Sequence, residues 1–440
     1  MCALNILEIY LNINSLFICM DIVTIILLGI SLILFFGYLS EFTFRKLGIP
    51  DVLFLIILGV VIGPHGFGWV VPAQLATVAP IFTTFTLLFL LFDGAFNINL
   101  RSLLLEFSQS FILTIFNFVL SSITIMAIML VFKFGFAASL FTGFALGGVS
   151  SAFVIPLLKQ MNIKPKLYSL LTLESALTDV FCIVFALTVI EVVKLGGFGL
   201  QKTFAQITSL FAVGAVVGIV AGIIWIYLVL RVIKEHNYMV TIAYVILVFV
   251  LAQFLKGNGA IATLFFGLML NNSKQLSTIT KEIVHNNSQI LEKKKRKKKI
   301  TKTKGPEQQV TTRSEQHFYH QISFFLKTFF FVYIGLLIDL SHGYALLIGG
   351  IISVAMLFVR RASWVLTRKE PKEDRGLVNS IFARGLAAAA IAQIALQEGI
   401  NHAATINKII YVVITGTIVL SSIMVFIDKY KYKNKVVTKA

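Results

Sequence analysis

Apolar stretches close to the length of a membrane-spanning helix recur from residue 22 almost to the C-terminus of this 440-residue chain, and few folds accommodate them. About 20 residues, rising ~1.5 Å each, cross the ~30 Å hydrocarbon core of a bilayer. Inside that core every backbone polar group has to find its partner within the protein, so the runs are read as packed α-helices. With 58% hydrophobic and 13% charged residues and a mean hydropathy of +0.89, the chain lies far from the balance of a soluble domain. It reads as one all-α polytopic membrane protein. Too little remains outside the apolar runs for a soluble catalytic domain, so no enzyme activity is expected.

Thirteen spans are predicted, near residues 22–43, 51–70, 79–97, 106–131, 136–158, 168–193, 205–232, 239–255, 258–271, 321–340, 344–366, 376–397 and 404–427. The eighth and ninth, parted at Gly257 and Gly259, can also be read as one broken helix. Residues 1–19 read as an N-terminal extension ahead of a start at Met20, because the stretch lacks the basic segment and small-residue cleavage site of a signal peptide; a signal-like segment or an extra helix are the alternatives. Residues 20–272 then hold the first transmembrane half, the linking helix and the start of a second repeat. A basic cytoplasmic loop over 273–320, the remaining helices over 321–428 and a cytoplasmic tail over 429–440 complete the chain.

The net charge of +18 would point to nucleic acid in a soluble protein, but most Lys and Arg fall in connections between apolar runs. Alternate connections carry Arg45 and Lys46; Arg101; Lys159, Lys164 and Lys166; Arg231 and Lys234; the segment after Asn272; Arg368, Lys369, Lys372 and Arg375; and the C-terminal lysines. The opposite connections carry only Lys133, Lys194, Lys202 and Lys256. Basic residues concentrate on the cytoplasmic side of a cell membrane, so the N-terminus is expected outside and the C-terminus inside. Cys2, Cys19 and Cys182 are too scattered for a disulfide framework, and the histidines form no pair at metal-ligand spacing, so no cofactor or structural metal is expected.

If six helices are repeated in inverted orientation around one linking helix, the fifth and twelfth spans occupy matching places, as in secondary transporters. Both carry helix-breaking patterns: Gly147-Gly148-Val149-Ser150-Ser151 with Pro156 in the fifth, and Asn379-Ser380 ahead of Ala383-Arg384-Gly385 in the twelfth. Small residues alone can serve close helix packing. At matching positions in both halves they predict two breaks near mid-membrane, where freed carbonyls and amides can hold an ion.

A charge inside a span costs about 2.5 to 3.5 kcal/mol on insertion scales, so each one needs a reason. The sixth span reads Leu173-Glu174-Ser175-Ala176-Leu177-Thr178-Asp179-Val180, which carries Asp179 well into the membrane and leaves Glu174 shallower. A carboxylate out of water holds its proton more tightly. Asp179 is therefore expected to hold a proton near neutral pH and to surrender it when a cation arrives, which couples the two fluxes. Ser175 and the backbone around Ser150 and Ser151 offer the neutral oxygens a small alkali ion prefers, and Thr178 is counted with them among the expected ion-binding residues. The alternatives are a structural ion pair for Asp179 and a packing or interfacial role for Glu174. Lys327 in the tenth span is either a supporting charge or a side chain snorkelling to the interface. Of Arg360 and Arg361 in the eleventh, one turns inward to pair with Glu174 or both snorkel. Arg384 either neutralises a helix-end dipole or bridges to an acidic partner, and Asp93 reads as a cap or interfacial group.

At these residues the chain resembles the monovalent cation/proton antiporter superfamily, of the prokaryotic sodium/proton exchanger type. Leu47-Gly48-Ile49-Pro50 leading to Gly63-Pro64, Leu90-Leu91-Phe92-Asp93-Gly94, Glu174-Ser175 to Asp179, and Ala383-Arg384-Gly385-Leu386-Ala387-Ala388 are similar to family motifs in order and spacing. The likeness runs from Met20 to about Lys429 apart from the basic loop. It implies a core domain built on crossed, unwound fifth and twelfth helices, a separate dimerisation domain in a homodimer, and an elevator-like movement of the core. It also implies an ion site at Glu174, Ser175 and Asp179, with Arg360 as the arginine of the electroneutral branch and Arg361 as the alternate register. Thr178-Asp179 stands where the electrogenic branch has two aspartates, and a single carboxylate implies one-for-one exchange. Ser150-Ser151-Ala152 stands where the electroneutral branch has Thr-Asp-Pro, a pattern closer to branches that include potassium carriers.

Sodium/proton antiport is the expected function, with lithium or potassium as other cations; potassium/proton exchange and a cation channel or sensor are the rivals. The run Lys293-Lys294-Lys295-Arg296-Lys297-Lys298-Lys299 would be attracted to anionic lipid. It reads as an insertion that reinforces topology, with a regulatory role as the alternative, and lacks the aromatic interleaving of a nucleic-acid surface.

Overall fold

The computed structural model describes residues 22–47, 51–75, 78–96, 100–161, 163–194, 200–231, 238–273, 312–368 and 371–437. The extension read at 1–19 and the basic run at 293–299 lie outside the described residues. The chain forms α1 (Ile22–Leu47), α2 (Asp51–Ile62), α3 (Ala79–Ala95), α4 (Leu100–Val131), α5 (Phe136–Ala145), α6 (Ser151–Gln160), α7 (Pro165–Lys194), α8 (Leu200–Arg231), α9 (Tyr238–Phe254) and α10 (Gly259–Asn271). Beyond residue 273 the described elements are α11 (Arg313–Leu337), α12 (Gly343–Arg361), α13 (Lys372–Ser380), α14 (Leu386–Gln397) and α15 (Ala403–Val437). Single turns at Pro72–Leu75 and Ala362–Val365 complete the secondary structure, and no strand occurs among the described residues. Six of the helices, α4, α7, α8, α11, α12 and α15, carry stretches long and apolar enough to cross a membrane.

Each expected span has its helix, and the fifth and twelfth are each two short helices, α5 with α6 and α13 with α14. The eighth and ninth are α9 and α10, separate helices packed against each other rather than one broken one. The tenth begins at Arg313, inside the segment 273–320 read as loop. Its start is fixed by a capping box, in which the Glu315 amide donates to Thr312 Oγ1 (3.2 Å) and the Thr312 amide to Glu315 Oε2 (2.6 Å). The polar first turn of α11 hid this start from a hydropathy reading.

Packing sorts the helices into two groups. α1 to α3 and α8 to α11 form the first, with Phe89, Phe92, Trp225, Phe266 and Tyr319 in its aromatic core; α4 to α7 and α12 to α15 form the second. Each six-span half thus gives its first three spans to one group and its last three to the other, while α8 links the halves. The groups meet chiefly where α3 lies on α14 and α8 on α7. Lipid tails are as apolar as the helices, so close van der Waals contact has to hold them together. At the α2/α11 crossing, a Cβ on Gly59 would meet the Val332 carbonyl, and one on Gly335 the Ile56 carbonyl.

Candidate ion site

Unwinding between α5 and α6 frees backbone amides, and one face of α7 receives them. Gly148 N donates to Cys182 Sγ (3.1 Å), Val149 N to Thr178 Oγ1 (3.0 Å), and Ser151 N to Asp179 Oδ2 (3.2 Å). The Ser151 hydroxyl donates to the same Asp179 oxygen at 2.5 Å. The Asp179 carboxylate therefore sits on the N-terminal end of α6, where the helix dipole favours negative charge. Between α13 and α14, α15 plays the part of α7. Phe382 N donates to Ser421 Oγ (3.4 Å), Arg384 N to Thr417 Oγ1 (3.0 Å), and Ser421 Oγ to the Ser380 carbonyl (2.6 Å).

The two breaks touch. Ser150 N donates to the Ala383 carbonyl at 2.9 Å, and any Cβ at Gly385 would collide with the Ser150 side chain, so this approach requires glycine. Arg384, buried at 2% exposure, reaches across to the carbonyls of Gly147 (3.0 Å) and Gly148, to Ser121 Oγ (3.0 Å) and to Met356 Sδ (2.9 Å). Of the two roles expected for it, the structure gives the neutralisation of a helix end: its guanidinium covers the carbonyls just past α5.

A cavity of ≈ 710 Å³ opens beside the crossing, on the end of the bundle where the basic connections lie. Asp179, Ser150, Ser151 and Pro156 line it from the second group; Asp51, Asp93, His320 and Lys327 face them from the first. Lys327 does not snorkel: its Nζ pairs with Asp51 Oδ2 at 2.7 Å, because α2 crosses α11 closely enough to present a carboxylate there. The Asp93 carboxylate stands 3.3 Å from His320 Nδ1.

Glu174, Ser175 and Thr178 do not reach the cavity, which corrects their expected place beside Asp179. Five residues on a helix turn through about 140°, so Glu174 faces away from it. There Glu174, 1% exposed, is held by Arg360 through both carboxylate oxygens, one pair at 2.8 Å, and by Asn117 Nδ2 at 2.7 Å. Arg360 Nε also donates to the Val378 carbonyl (2.8 Å), and Ser363 Oγ to Asn117 Oδ1 (2.7 Å). Arg361 points outward, 5.8 Å from the Phe358 ring centroid. The Ser175 hydroxyl donates to the Thr172 carbonyl (3.0 Å), and Thr178 shapes the first break. Sequence reasoning missed Asn117, Asp51, Cys182, Thr417 and Ser421. Asn117, a lone amide in an apolar run, was the most visible of these; hydroxyls such as Thr417 can simply bond the preceding turn, as it also does to Val413 O at 2.7 Å.

The model of the family described as sodium/hydrogen exchanger, transmembrane, matches residues 30–427, which include both breaks and Asp179. The chain belongs to the sodium/hydrogen exchanger family. It is an integral, multi-pass membrane protein of that cation/proton exchanger class. Its fold is that of the sodium proton antiporter MjNhaP1 from Methanocaldococcus jannaschii. One structure of that protein, at pH 8, superposes with a TM-score of 0.72 at 18% identity over 91% of this chain and 96% of that one. A second, from electron microscopy, gives 0.66 at 18% over 93% and 96%. The K(+)/H(+) antiporter NhaP2 of Shewanella oneidensis is 24% identical over 232 residues, 52% of this chain; the match spans 40% of that relative's length.

Proposed function

We propose that this exchanger is a secondary active sodium/proton antiporter in which Asp179 alternately holds a proton and a sodium ion. The position of Asp179 carries the reading. Glu174 is matched by Arg360 and Asp51 by Lys327, whereas Asp179 has no ion-pair partner among the described residues and faces an open cavity. A cation arriving there displaces the Ser151 hydroxyl from the carboxylate, takes oxygens of Ser150 and Ser151 as neutral ligands, and expels the proton. With Thr178 in place of a second carboxylate, the site is neutral whether it holds a proton or a monovalent ion, so exchange is one-for-one and electroneutral. The second helix group then moves past the first and carries Asp179 to the opposite side. By the same reading, the first group joins a second copy in a homodimer, the N-terminus lies outside, and the cavity faces the cytoplasm.

Potassium/proton exchange is the second reading, favoured by the printed activity of the Shewanella relative and by Ser150-Ser151 at the break. Proteoliposomes with an imposed pH gradient separate the two. Sodium-driven proton movement that ignores a clamped or unclamped membrane potential is the expected result. A response to potassium alone would establish the second reading, and no cation-coupled proton movement in folded protein would overturn both.

A further inference from the structure

On the end of the bundle away from the cavity, one charged cluster joins the two helix groups. Asp339, in the turn after α11, receives Lys408 Nζ from the start of α15 at 2.8 Å. Its other oxygen lies 3.4 Å from Nε2 of His65, which follows α2, and the Leu340 amide donates to that same nitrogen at 3.3 Å. Asp339 and His65 belong to the first group and Lys408 to the second. Next to Lys408, Asn407 is 4% exposed, and neither atom of its amide has a hydrogen-bond partner among the described residues. Buried polar groups are nearly always paired, so this amide points to another state in which it is. One turn deeper on the same face, the Tyr411 hydroxyl accepts from Gln393 Nε2 at 2.6 Å.

We propose that the Lys408–Asp339 pair is the closing contact of the outer face, and that Asn407, with Gln393 and Tyr411 beneath it, lines the route an ion takes once that contact breaks. The proposal rests on the alternating-access reading above. Lys408, Asp339 and His65 keep 34%, 29% and 24% of their side-chain surface exposed. Exposed pairs bind weakly, which suits a contact broken in every cycle. The buried Arg360–Glu174 pair lies within one group and never has to open.

The test places a cysteine at the unpaired position, Asn407→Cys, and follows its labelling by a membrane-impermeant thiol reagent in right-side-out and inside-out vesicles, with the native chain as blank. Labelling is expected from the face opposite the cavity. Adding Asp339→Asn should speed it about two- to fivefold, the range that the loss of an exposed pair allows. Lys408→Gln should do the same if Asp339→Asn disturbs folding, and the exchanged pair Asp339→Lys with Lys408→Asp should restore the slow rate. Equal rates in all these chains, or labelling only from the cavity side, would overturn the proposal. Exchange by the native chain is measured alongside, so its absence would sink the antiport reading while the labelling still judges the contact.

Discussion

At the break between α5 and α6, the freed amides are received by a thiol, a hydroxyl and a carboxylate on α7; at the break between α13 and α14, two hydroxyls on α15 suffice. The backbone problem is the same in both places. The second break therefore acts as an internal control, showing that neutral side chains can satisfy an unwound helix at this depth. A carboxylate in the membrane costs ~2.5–3.5 kcal/mol more on insertion scales, so Asp179 is not explained by the architecture it caps. Its charge has to be used for something else.

The largest effect should come from making the first break resemble the second. Asp179→Asn keeps an acceptor for Ser151 and is expected to reduce cation-driven proton movement in proteoliposomes to background, with thermal unfolding in detergent nearly unchanged. Retained exchange would break the comparison. A charge that does serve architecture should behave in the opposite way. Arg360→Ala leaves Glu174 buried and uncompensated, with an expected loss of about 3–5 kcal/mol in stability, whereas Glu174→Gln combined with Arg360→Met should recover most of it. Unchanged unfolding of the single variant would remove the pair from the structural frame.

Crowding the contact between the breaks comes next. Gly385→Ala drives a methyl into Ser150 and should cost about 1–3 kcal/mol, relieved by Ser150→Gly, as read from detergent unfolding. Removing a hydroxyl at the second break, Ser421→Ala, should cost about 1 kcal/mol and leave the choice of cation untouched. The smallest effect is one of pH. The Lys408 ammonium beside Asp339 holds its carboxyl below the usual carboxylate range. A depressed value in the folded state means that the stabilisation is present above pH ~4 and fades as pH falls through the lowered value. Because the pair is partly exposed, native protein and Asp339→Asn should differ by less than ~1 kcal/mol above that pH and converge below it.

The thirteen spans and the two breaks were legible because apolar length and runs of Gly and Ser are local signals. Pairings across the bundle were not. Asp51 and Lys327 are 276 residues apart, and nothing near either one announces the other. Arg360 and Arg361 point about 100° apart on a helix, so only the position of α7 decides which of them meets Glu174. Glu174 itself misled, since a carboxylate five residues from Asp179 fits a shared site in the sequence and the opposite face of α7 in the fold. The inward turn of Arg360 was one of two open readings, and the neutral hydroxyls of α15 carried no signal strong enough to separate them from ordinary helix packing.

The volume of the cavity has a consequence for discrimination among alkali ions. A water molecule occupies ~30 Å³ in the liquid, so ≈ 710 Å³ has room for on the order of twenty. On the antiport reading, an ion crosses that vestibule with its hydration shell intact, past an Asp51 already neutralised by Lys327 and an Asp93 that meets its charge without measuring its radius. Dehydration happens only in the last step, against Ser150, Ser151 and Asp179. Any preference for sodium over potassium is then decided by how well three short side chains replace the water that is stripped there.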